Sequence, residues 1–475
     1  MLSFEQALAQ LLSAAQPISA SEDCATLDAA GRVLALPQYA TQNVPAQDNS
    51  AMDGYAVRVA DVAAAMAAGA ANAANAAGTA ASENVVSAAF ADSVPQPQLQ
   101  PSARPLLLPV LLPVAQRIAA GQPALSLAPG SAARIFTGAT IPPGADAVIM
   151  QEQCTPSENG VLLKHLPVLG EHIRYVGSDL AVGERILPAG QRLRAQDIGL
   201  LASVGIAQIP VFRRLRVAVF FTGDELQMPG SALAEGGVYN TNRFLLTALL
   251  NGLGCTLSDF GQVPDELAAT RNTLRAAARE HDLILSSGGV SVGEEDHIKA
   301  AVAAEGQLAL WRIAMKPGKP LAFGSVRKTS SESLDSVLDQ APEQNDLPPK
   351  IEGDAGSNTA FIGLPGNPVS CLVTFLTLVR PFILRLQGVA PDSALLPRAY
   401  RLRADFDYGL SAPNTRREFL RVRINAEGGL DLFPEQGSSV LSSAVWADGL
   451  LDNPPEQAIR RGDWVRFLAF SELLH

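Results

Sequence analysis

Residues 215–390 alternate between apolar, strand-like runs and amphipathic, helix-like stretches, and this alternation restricts the fold more than any other feature of the chain. The strand-like runs at 215–221, 282–289 and 359–366 each lead into a turn that contains glycine. Such alternation predicts an α/β domain with a parallel sheet covered on both faces. Ligands bind these sheets beyond the carboxyl ends of the strands, which is where this sequence has its glycines.

The regions on either side lack this alternation. Residues 130–215 and 395–475 contain short β-type runs separated by glycine and proline. A chain of 475 residues is long enough for about two to four domains. We therefore predict a multidomain α/β and β protein, in which a central parallel-sheet α/β domain is flanked by β-rich domains.

Two stretches interrupt the patterned sequence. Residues 60–82 contain 14 alanines in 23 positions, and a Pro/Gln-rich run follows at 95–105. We interpret about 60–105 as a low-complexity insertion that is helix-prone in places but has no stable apolar face. The acidic, Ser/Pro-rich stretch 327–358 is typical of a mobile loop.

Composition excludes several classes of function. A formal net charge of −11 argues against nucleic-acid binding, which depends on Lys and Arg neutralising phosphates. The four cysteines and five histidines show no disulfide or zinc spacing, so a functional metal is expected to be oxygen-ligated, such as magnesium. The N-terminus reads as a helix without a basic leader, and the apolar stretches near 105–115 and 372–384 are short and broken by proline. We expect a cytoplasmic, reduced protein with no membrane or nucleic-acid partner.

Two glycine-containing loops are candidates for ligand binding. SSGGVSVG at 286–293 lies between a predicted strand and a predicted helix, and its three glycines and three serines exceed what an ordinary turn needs. Backbone N–H groups there can hold a phosphate or the edge of a pterin. LPGNPVS at 364–370 follows the last strand, although helix capping alone would explain its Asn and second Pro. The candidate residues are Ser287, Gly288, Gly289, Ser291, Gly293, Pro365, Gly366, Asn367 and Ser370.

Charged residues adjoin these loops. Lys316 and Lys319 lie in the proline-bracketed loop MKPGKP, where two lysines suit an oxyanion or a pyrophosphate better than ordinary solvation. Asp224 and Glu225 lie at the end of a strand and could hold magnesium, although a turn explains Asp224 equally well. Asp296 opens a helix, where the dipole favours an acid in any case, and only the neighbouring glycine loop favours a metal role.

The string DNSAMDGYAV at 48–57 resembles the signature of the molybdopterin molybdenumtransferases, a family that includes bacterial MoeA and the gephyrin E domain. IFTGATIPPGADAVIMQE, TGDEL, SSGGVSVGEED, KPGKPLAFG and LPGNPVS follow in the family's order, so the resemblance covers nearly the whole chain except the two insertions. It implies four domains, the central one with the molybdopterin-binding fold. These are an α/β domain of 1–20 and 206–392, an elongated strand-rich segment of 21–45 and 183–205, a β-rich inserted domain of 46–182, and a C-terminal β-barrel-like domain of 393–475.

The resemblance also implies an activity. Family members are homodimers that insert molybdate into adenylylated molybdopterin with magnesium and release AMP. The lysines, Ser370 and a basic C-terminal residue would hold molybdate, and the acids would position magnesium. The implied catalytic residues are Asp53, Thr137, Asp179, Glu225, Lys316 and Lys319; the further substrate-binding residues are Asp265, Arg416 and Ser438; and the metal ligands are Glu225, Asp296 and Asp224.

Departures from the family pattern leave some assignments open. The C-terminal motif begins with Thr415 in place of glycine, and Arg417 directly follows the matching Arg416. Either Ser438 or Ser439 could face the anion. A molybdopterin adenylyltransferase is one alternative, but it would need neither the 48–57 region nor a C-terminal domain. A gephyrin-like scaffold is another, but it would need neither the acids nor the lysines. The adenylyltransferase of the same pathway is also a candidate partner.

Overall fold

The computed structural model describes residues 1–80, 109–289, 297–318, 320–328, 358–391 and 395–474. The chain forms two compact units. The larger unit comprises Met1–Gln38, Leu187–Gly199 and Ala207–His475, and the smaller unit comprises Tyr39–Ile186 and Leu200–Ile206. The finer division into four domains stays a prediction.

A six-stranded sheet forms the centre of the larger unit. Its strand order is Thr256–Val263, Arg216–Thr222, Leu283–Ser287, Asn358–Leu364, Pro320–Arg327 and Gly306–Arg312. The first four strands are parallel, but Pro320–Arg327 runs antiparallel to both of its neighbours, so the prediction of a parallel sheet is wrong at this edge. For Gly306–Arg312 and Pro320–Arg327 the reason lies in their connection 313–319, which is too short for the crossover that parallel neighbours require.

Apolar side chains of the central strand are buried on both sides of the sheet. Val217, Val219 and Phe221 belong to one core cluster, whereas Ala218 and Phe220 belong to another. This alternation confirms that helices cover both faces, as the apolar run predicted. The covering helices are Phe4–Ala14, Thr241–Gly252, Leu267–Glu280, His297–Glu305 and Pro368–Leu386.

The last of these helices is continuous through a proline. It consists of Pro368–Thr374, a π-helical turn at Phe375–Val379, and Arg380–Leu386. The expectation that proline breaks this stretch is therefore wrong, because a π turn before Pro381 accommodates the missing N–H donor. Among the described residues this helix is long and apolar enough to cross a membrane. However, 94% of its apolar segment is buried inside the protein, as is typical of a core helix.

A second sheet of the larger unit contains most of the C-terminal residues. Its order is Met315–Lys316, Arg417–Ile424, Gly449–Asn453, Trp464–Ala469 and Ala399–Arg403, with Leu430–Leu432 beside Arg417–Ile424. Ala404, directly after Ala399–Arg403, forms an isolated bridge with Leu430. The barrel-like form stays a prediction. What matters for function is that the lysine strand 315–316 belongs to this sheet.

Shorter elements complete the larger unit. They are the paired strands Ser21–Ala25 and Gln208–Phe212, the paired strands Leu226–Gln227 and Val238–Tyr239, and the helices Leu441–Trp446 and Phe470–Leu473. The strands Gln38–Tyr39 and Arg185–Leu187 and the helix Ala195–Ser203 lie near the sequence boundaries of the two units.

The smaller unit is rich in strands, as its Gly- and Pro-separated runs predicted. A four-stranded sheet has the order Val114–Ile118, Ala132–Ile135, Gly54–Val57 and Ala147–Met150. A three-stranded sheet has the order Val110–Leu112, Gly160–Leu163 and Cys154–Ser157, and Asn49–Ser50 pairs with Ile173–Arg174.

The Ala-rich stretch departs from its prediction. Val59–Ala80 is an α-helix whose first turns bury Val62 and Met66 in the core of the smaller unit. The Asp146 carboxylate accepts a hydrogen bond from the first N–H of this helix, 2.7 Å away. The prediction of a stretch without an apolar face is therefore wrong for these turns, since Val and Met recur here at helical spacing. The Pro/Gln-rich run and 329–357 lie outside the described residues.

Candidate active site

Two adjacent glycines end the central strand Leu283–Ser287. Gly288 and Gly289 have φ angles of +99° and +62°, a region that disfavours other residues. A Cβ atom on Gly288 would lie 2.5 Å from the carbonyl oxygen of Thr222, at the end of the neighbouring strand. Glycine is therefore required for both conformation and space, which leaves the backbone of this loop accessible. The predicted residues Ser291, Gly293 and Asp296 lie outside the described residues.

A buried hydrogen-bond network joins the two glycine loops. The amide nitrogen of Asn242 donates to the Ser287 hydroxyl at 2.8 Å and to the Gly366 carbonyl at 2.7 Å. The Ser287 hydroxyl in turn donates to the Pro365 carbonyl at 3.2 Å. The motifs at 286–293 and 364–370 therefore meet, although 78 residues separate Ser287 from Pro365. Sequence reasoning missed Asn242, because in sequence it is one polar residue in the first turn of a helix.

The helix that follows the second loop receives a contact from a turn of the C-terminal region. The backbone N–H of Val369 donates to the Ser438 carbonyl at 3.0 Å. Asn367 occupies the N-cap position, as predicted, but its side chain makes no capping hydrogen bond. Its backbone carbonyl accepts the Cys371 N–H instead, as extended backbone before Pro368 allows. Ser370 is buried in the same turn.

The lysine loop packs against this helix. Gly318 has φ +106°, and a Cβ atom there would collide with the Thr374 hydroxyl and lie 3.5 Å from the Ser370 carbonyl oxygen. Glycine at 318 thus lets the loop touch the helix that begins at Pro368. Lys319 lies outside the described residues, so its role stays a prediction.

A buried carboxylate lies beside Lys316. Glu418 is 2% exposed, and its Oε1 atom accepts hydrogen bonds from the Lys316 ammonium at 3.1 Å, the Tyr408 hydroxyl at 2.8 Å and the Asn414 amide at 3.2 Å. Burial and the bond to Glu418 raise the pKa of Tyr408 above its ordinary value. Asn414 also accepts the backbone N–H of Arg416 at 3.0 Å. Sequence reasoning missed this set, although Glu418 is the acid of the C-terminal motif.

The two adjacent arginines of that motif have different surroundings. Arg417 is buried and forms ion pairs with Asp452 and Glu5. Arg416 is half-buried, and within the described parts of the chain its guanidinium pairs with no carboxylate. Because Arg417 is engaged in the fold, Arg416 is the better candidate to contact an anion.

Arg421, on the strand Arg417–Ile424, holds the loop that contains Ser438 and Ser439. Its guanidinium is 1% exposed and donates to the Gly437 carbonyl at 3.2 Å, while its backbone N–H donates to the Gln436 side chain at 2.9 Å. Burial lowers the pKa of Arg421 to about 10. Ser438 is half-buried at the helix contact and Ser439 is exposed, so Ser438 lies closer to the helix that carries Ser370.

Three acids lie at the end of the strand Arg216–Thr222. The Asp265 carboxylate accepts the backbone N–H of Asp224, and burial together with the charges of Asp224 and Glu225 raises the pKa of Asp265. Asp265 thus lies with the predicted metal ligands. Among the described residues no three His, Cys, Asp or Glu side chains are close enough to hold a metal. The two observations are compatible, because charges interact over longer distances than metal ligation allows.

The smaller unit contains the other predicted acidic site. One oxygen of Asp53 accepts both the backbone N–H and the hydroxyl of Thr137, each at 2.8 Å. These bonds hold the pKa of Asp53 below its ordinary value, because both favour the charged form. The structure thus joins two residues that lie 84 positions apart in sequence. Asp179 is exposed in a different turn, where its backbone N–H donates to the Val44 carbonyl at 3.0 Å.

The described part of the larger unit therefore combines two glycine loops, a lysine, an arginine with no carboxylate partner there, and an acidic group around one end of an α/β sheet. This combination is typical of α/β enzymes whose ligands are anionic.

Comparisons with known proteins agree with this class. Family models match the chain as the MoeA N-terminal region (domain I and II) over residues 2–205, a probable molybdopterin binding domain over 218–385, and the MoeA C-terminal region (domain IV) over 403–470. A molybdopterin molybdenumtransferase from Haemophilus influenzae is 38% identical over 389 residues, which cover 82% of this chain and 78% of that protein. Molybdopterin molybdenumtransferase 2 from Mycobacterium tuberculosis is 30% identical, with coverage of 95% and 94%.

A solved structure shows the same fold. The molybdopterin biosynthesis MoeA protein from Pyrococcus horikoshii has a TM-score of 0.68 at 25% identity and covers 99% of each chain. The chain belongs to the MoeA family of molybdopterin molybdenumtransferases, which are enzymes of molybdenum cofactor biosynthesis. The match at both ends also argues against the single-domain adenylyltransferase alternative.

Proposed function

We propose that this enzyme inserts molybdate into adenylylated molybdopterin and releases AMP in a magnesium-dependent reaction. The observation that carries the proposal is the meeting of the lysine loop, the helix beginning at Pro368 and the Arg416 turn in the larger unit. Cationic side chains beside hydroxyl groups at the start of a helix suit an anionic substrate.

Molybdate would bind on the lysine side of this site. Lys316 and Arg416 supply positive charge, and Ser370 and Ser438 supply hydroxyl groups near the first turn of the same helix. A tetrahedral dianion matches such a set, since charge-assisted hydrogen bonds are the strongest that side chains offer. Lys319 would add a second ammonium group from the same loop.

The diphosphate and pterin would bind along the glycine loops. Gly288, Gly289 and Gly366 lack side chains where the two loops meet, so backbone N–H groups can approach a phosphate oxygen. Pro365 and Asn367 would line the same loops. Asn242 and Ser287 would keep the two loops in register, because the Asn242 amide nitrogen donates to the Gly366 carbonyl and the Ser287 hydroxyl donates to the Pro365 carbonyl.

Magnesium would bind at the acids at the end of strand Arg216–Thr222. Carboxylate oxygens are the ligands it prefers. Burial raises the pKa of Asp265 most, and the charges of Asp224 and Glu225 add to it, so a divalent cation would relieve part of the cost of gathering these acids. Glu225 and Asp224 would hold the ion with Asp296. When bound, magnesium would neutralise charge on the diphosphate as AMP leaves.

The remaining assignments extend the proposal to the whole protein. Asp53, Thr137 and Asp179 are proposed as activity-linked residues of the smaller unit. We further propose a cytoplasmic homodimer that receives its substrate from the adenylyltransferase of the same pathway. Light scattering on the purified protein would test the dimer, and a single-chain mass would contradict it.

The decisive test measures AMP release from adenylylated molybdopterin by the purified enzyme. We expect release only when molybdate and magnesium are both present, because the anion and the ion complete the site. Tungstate serves as a second oxyanion and sulfate as a tetrahedral control. AMP release that is independent of molybdate would contradict the proposal.

A further inference from the structure

We infer that Glu418 is the positioning residue of the oxyanion site, and that one buried carboxylate sets the place of both Lys316 and Arg416. The inference rests on the proposed function and deepens it. It starts from a paradox: a negative charge lies within hydrogen-bond distance of a lysine proposed to bind an anion.

The backbone register brings Lys316 to Glu418. The strands Met315–Lys316 and Arg417–Ile424 run parallel, and Lys316 is the direct partner of Glu418. Side chains at such paired positions extend on the same face of the sheet. The carboxylate is buried, whereas the lysine side chain is 39% exposed. The ion pair therefore anchors the Lys316 ammonium from its buried side and leaves the other N–H groups of the ammonium available towards solvent.

Asn414 carries the effect of Glu418 to the arginine. Its amide nitrogen donates to Glu418, and its amide oxygen accepts the backbone N–H of Arg416. Asn414 thus ties the turn that begins the strand to the buried carboxylate. Tyr408 supplies a third donor to the same oxygen atom, so Glu418 is held without help from Lys316. A carboxylate fixed in this way can orient two cations while remaining out of contact with the anion.

The direction in which Glu418→Gln changes molybdate binding distinguishes two roles of Glu418: positioning Lys316 and repelling the oxyanion. If Glu418 only repelled the oxyanion, Glu418→Gln would remove a negative charge and tighten molybdate binding. If Glu418 positions Lys316, the same substitution weakens binding despite the more favourable charge. Glutamine preserves the shape of the side chain and an oxygen acceptor, so E418Q changes mainly the charge-assisted bond to Lys316.

The experiment compares steady-state AMP release by the full-length variants. We expect E418Q to raise the KM for molybdate about tenfold, the effect of losing one charge-assisted hydrogen bond, with a much smaller change in the KM for adenylylated molybdopterin. In a Lys316→Ala background E418Q is expected to add little, because the residues act as one unit. Asn414→Ala, which leaves the Glu418–Lys316 pair intact, is expected to raise the same KM by disturbing the Arg416 turn.

Asp452→Asn is the matched control. Asp452 is a buried acid of the same sheet that pairs with Arg417 and Arg466 and not with the lysine. It is expected to lower thermal stability without changing the KM for molybdate. An E418Q enzyme with unchanged or lower molybdate KM, or effects of E418Q and Lys316→Ala that multiply, would overturn the inference. Failure of the proposed function is distinguishable, because then the wild-type enzyme itself lacks molybdate-dependent AMP release.

Discussion

The acidic sites of the two units differ in how they are assembled. In the larger unit Glu418 is buried and gathers donors from three segments of chain, one of them 102 residues away. In the smaller unit Asp53 is only partly buried and takes both of its bonds from Thr137. A buried carboxylate must have its partners in place, whereas a solvated one retains water as an alternative. We therefore expect the larger unit's site to be more sensitive to remote substitutions.

The largest effect is expected at Gly318. Gly318→Ala forces a residue with a Cβ atom into φ +106° and against Thr374, so the lysine loop must leave the helix. We expect AMP release to fall by at least about 100-fold, the scale of a misplaced catalytic group. Gly462→Ala is the matched control, because Gly462 has φ +98° and no atom within 4 Å of an added Cβ. Equal activity losses in the two variants would show that backbone strain alone is responsible.

A core substitution tests the helix of the smaller unit. Met66→Ala removes a buried side chain and should reduce the free energy of unfolding by about 2–5 kcal/mol. Ala64→Ser, on the exposed side of the same helix, should change it by less than about 0.5 kcal/mol. Urea denaturation measures both. If Met66→Ala left the free energy of unfolding unchanged, the interpretation of this stretch as a surface insertion would be supported.

Asn242 tests the network that joins the glycine loops. Asn242→Ala leaves the Ser287 hydroxyl and the Gly366 carbonyl without their donor, which should cost about 1–3 kcal/mol of stability. The KM for adenylylated molybdopterin should rise more than the KM for molybdate, because the network holds the glycine loops and not the lysine loop. A change confined to molybdate would contradict this division of the site.

The smallest effect is expected at Asp53 and depends on pH. Its pKa in the folded protein lies below the ordinary value of 3.8, so the charged form contributes stability above that pH and the contribution disappears as the pH falls through the lowered pKa. Wild-type protein should therefore be more stable than Asp53→Asn at pH 7, and the difference should shrink below pH 3.8. Unfolding curves at several pH values measure it. Thr137→Val removes the hydroxyl bond but keeps the backbone N–H bond, which lowers the pKa of Asp53 most, so it should remove only part of the difference. A gap that widens in acid would contradict the assignment.

Much of the fold was predictable, because strands and helices leave local periodic patterns. The apolar run 215–221 predicted a strand buried on both faces, and Val217 to Phe221 alternate between two cores as expected. The antiparallel edge was not predicted, since strand direction depends on connections and not on the pattern of a strand. The Ala-rich helix was misread because alanine bias concealed Val62 and Met66, which are its only long apolar residues among 60–72.

The sequence by itself determined the order of the motifs and the family to which the chain belongs. It also determined where glycine is present to allow a left-handed backbone conformation. The tertiary structure decided which residues meet. It brings Asn242 to both glycine loops, Gly318 to Thr374, and Lys316 to Glu418. It also pairs Arg417 with Asp452, so that Arg417 stabilises the fold and is not a candidate for binding the ligand. The physical reason is the distance along the chain over which each property is determined. Backbone conformation and amphipathic pattern are properties of neighbouring residues, whereas a buried charge is defined by donors that only the folded chain brings within 3 Å or so of it.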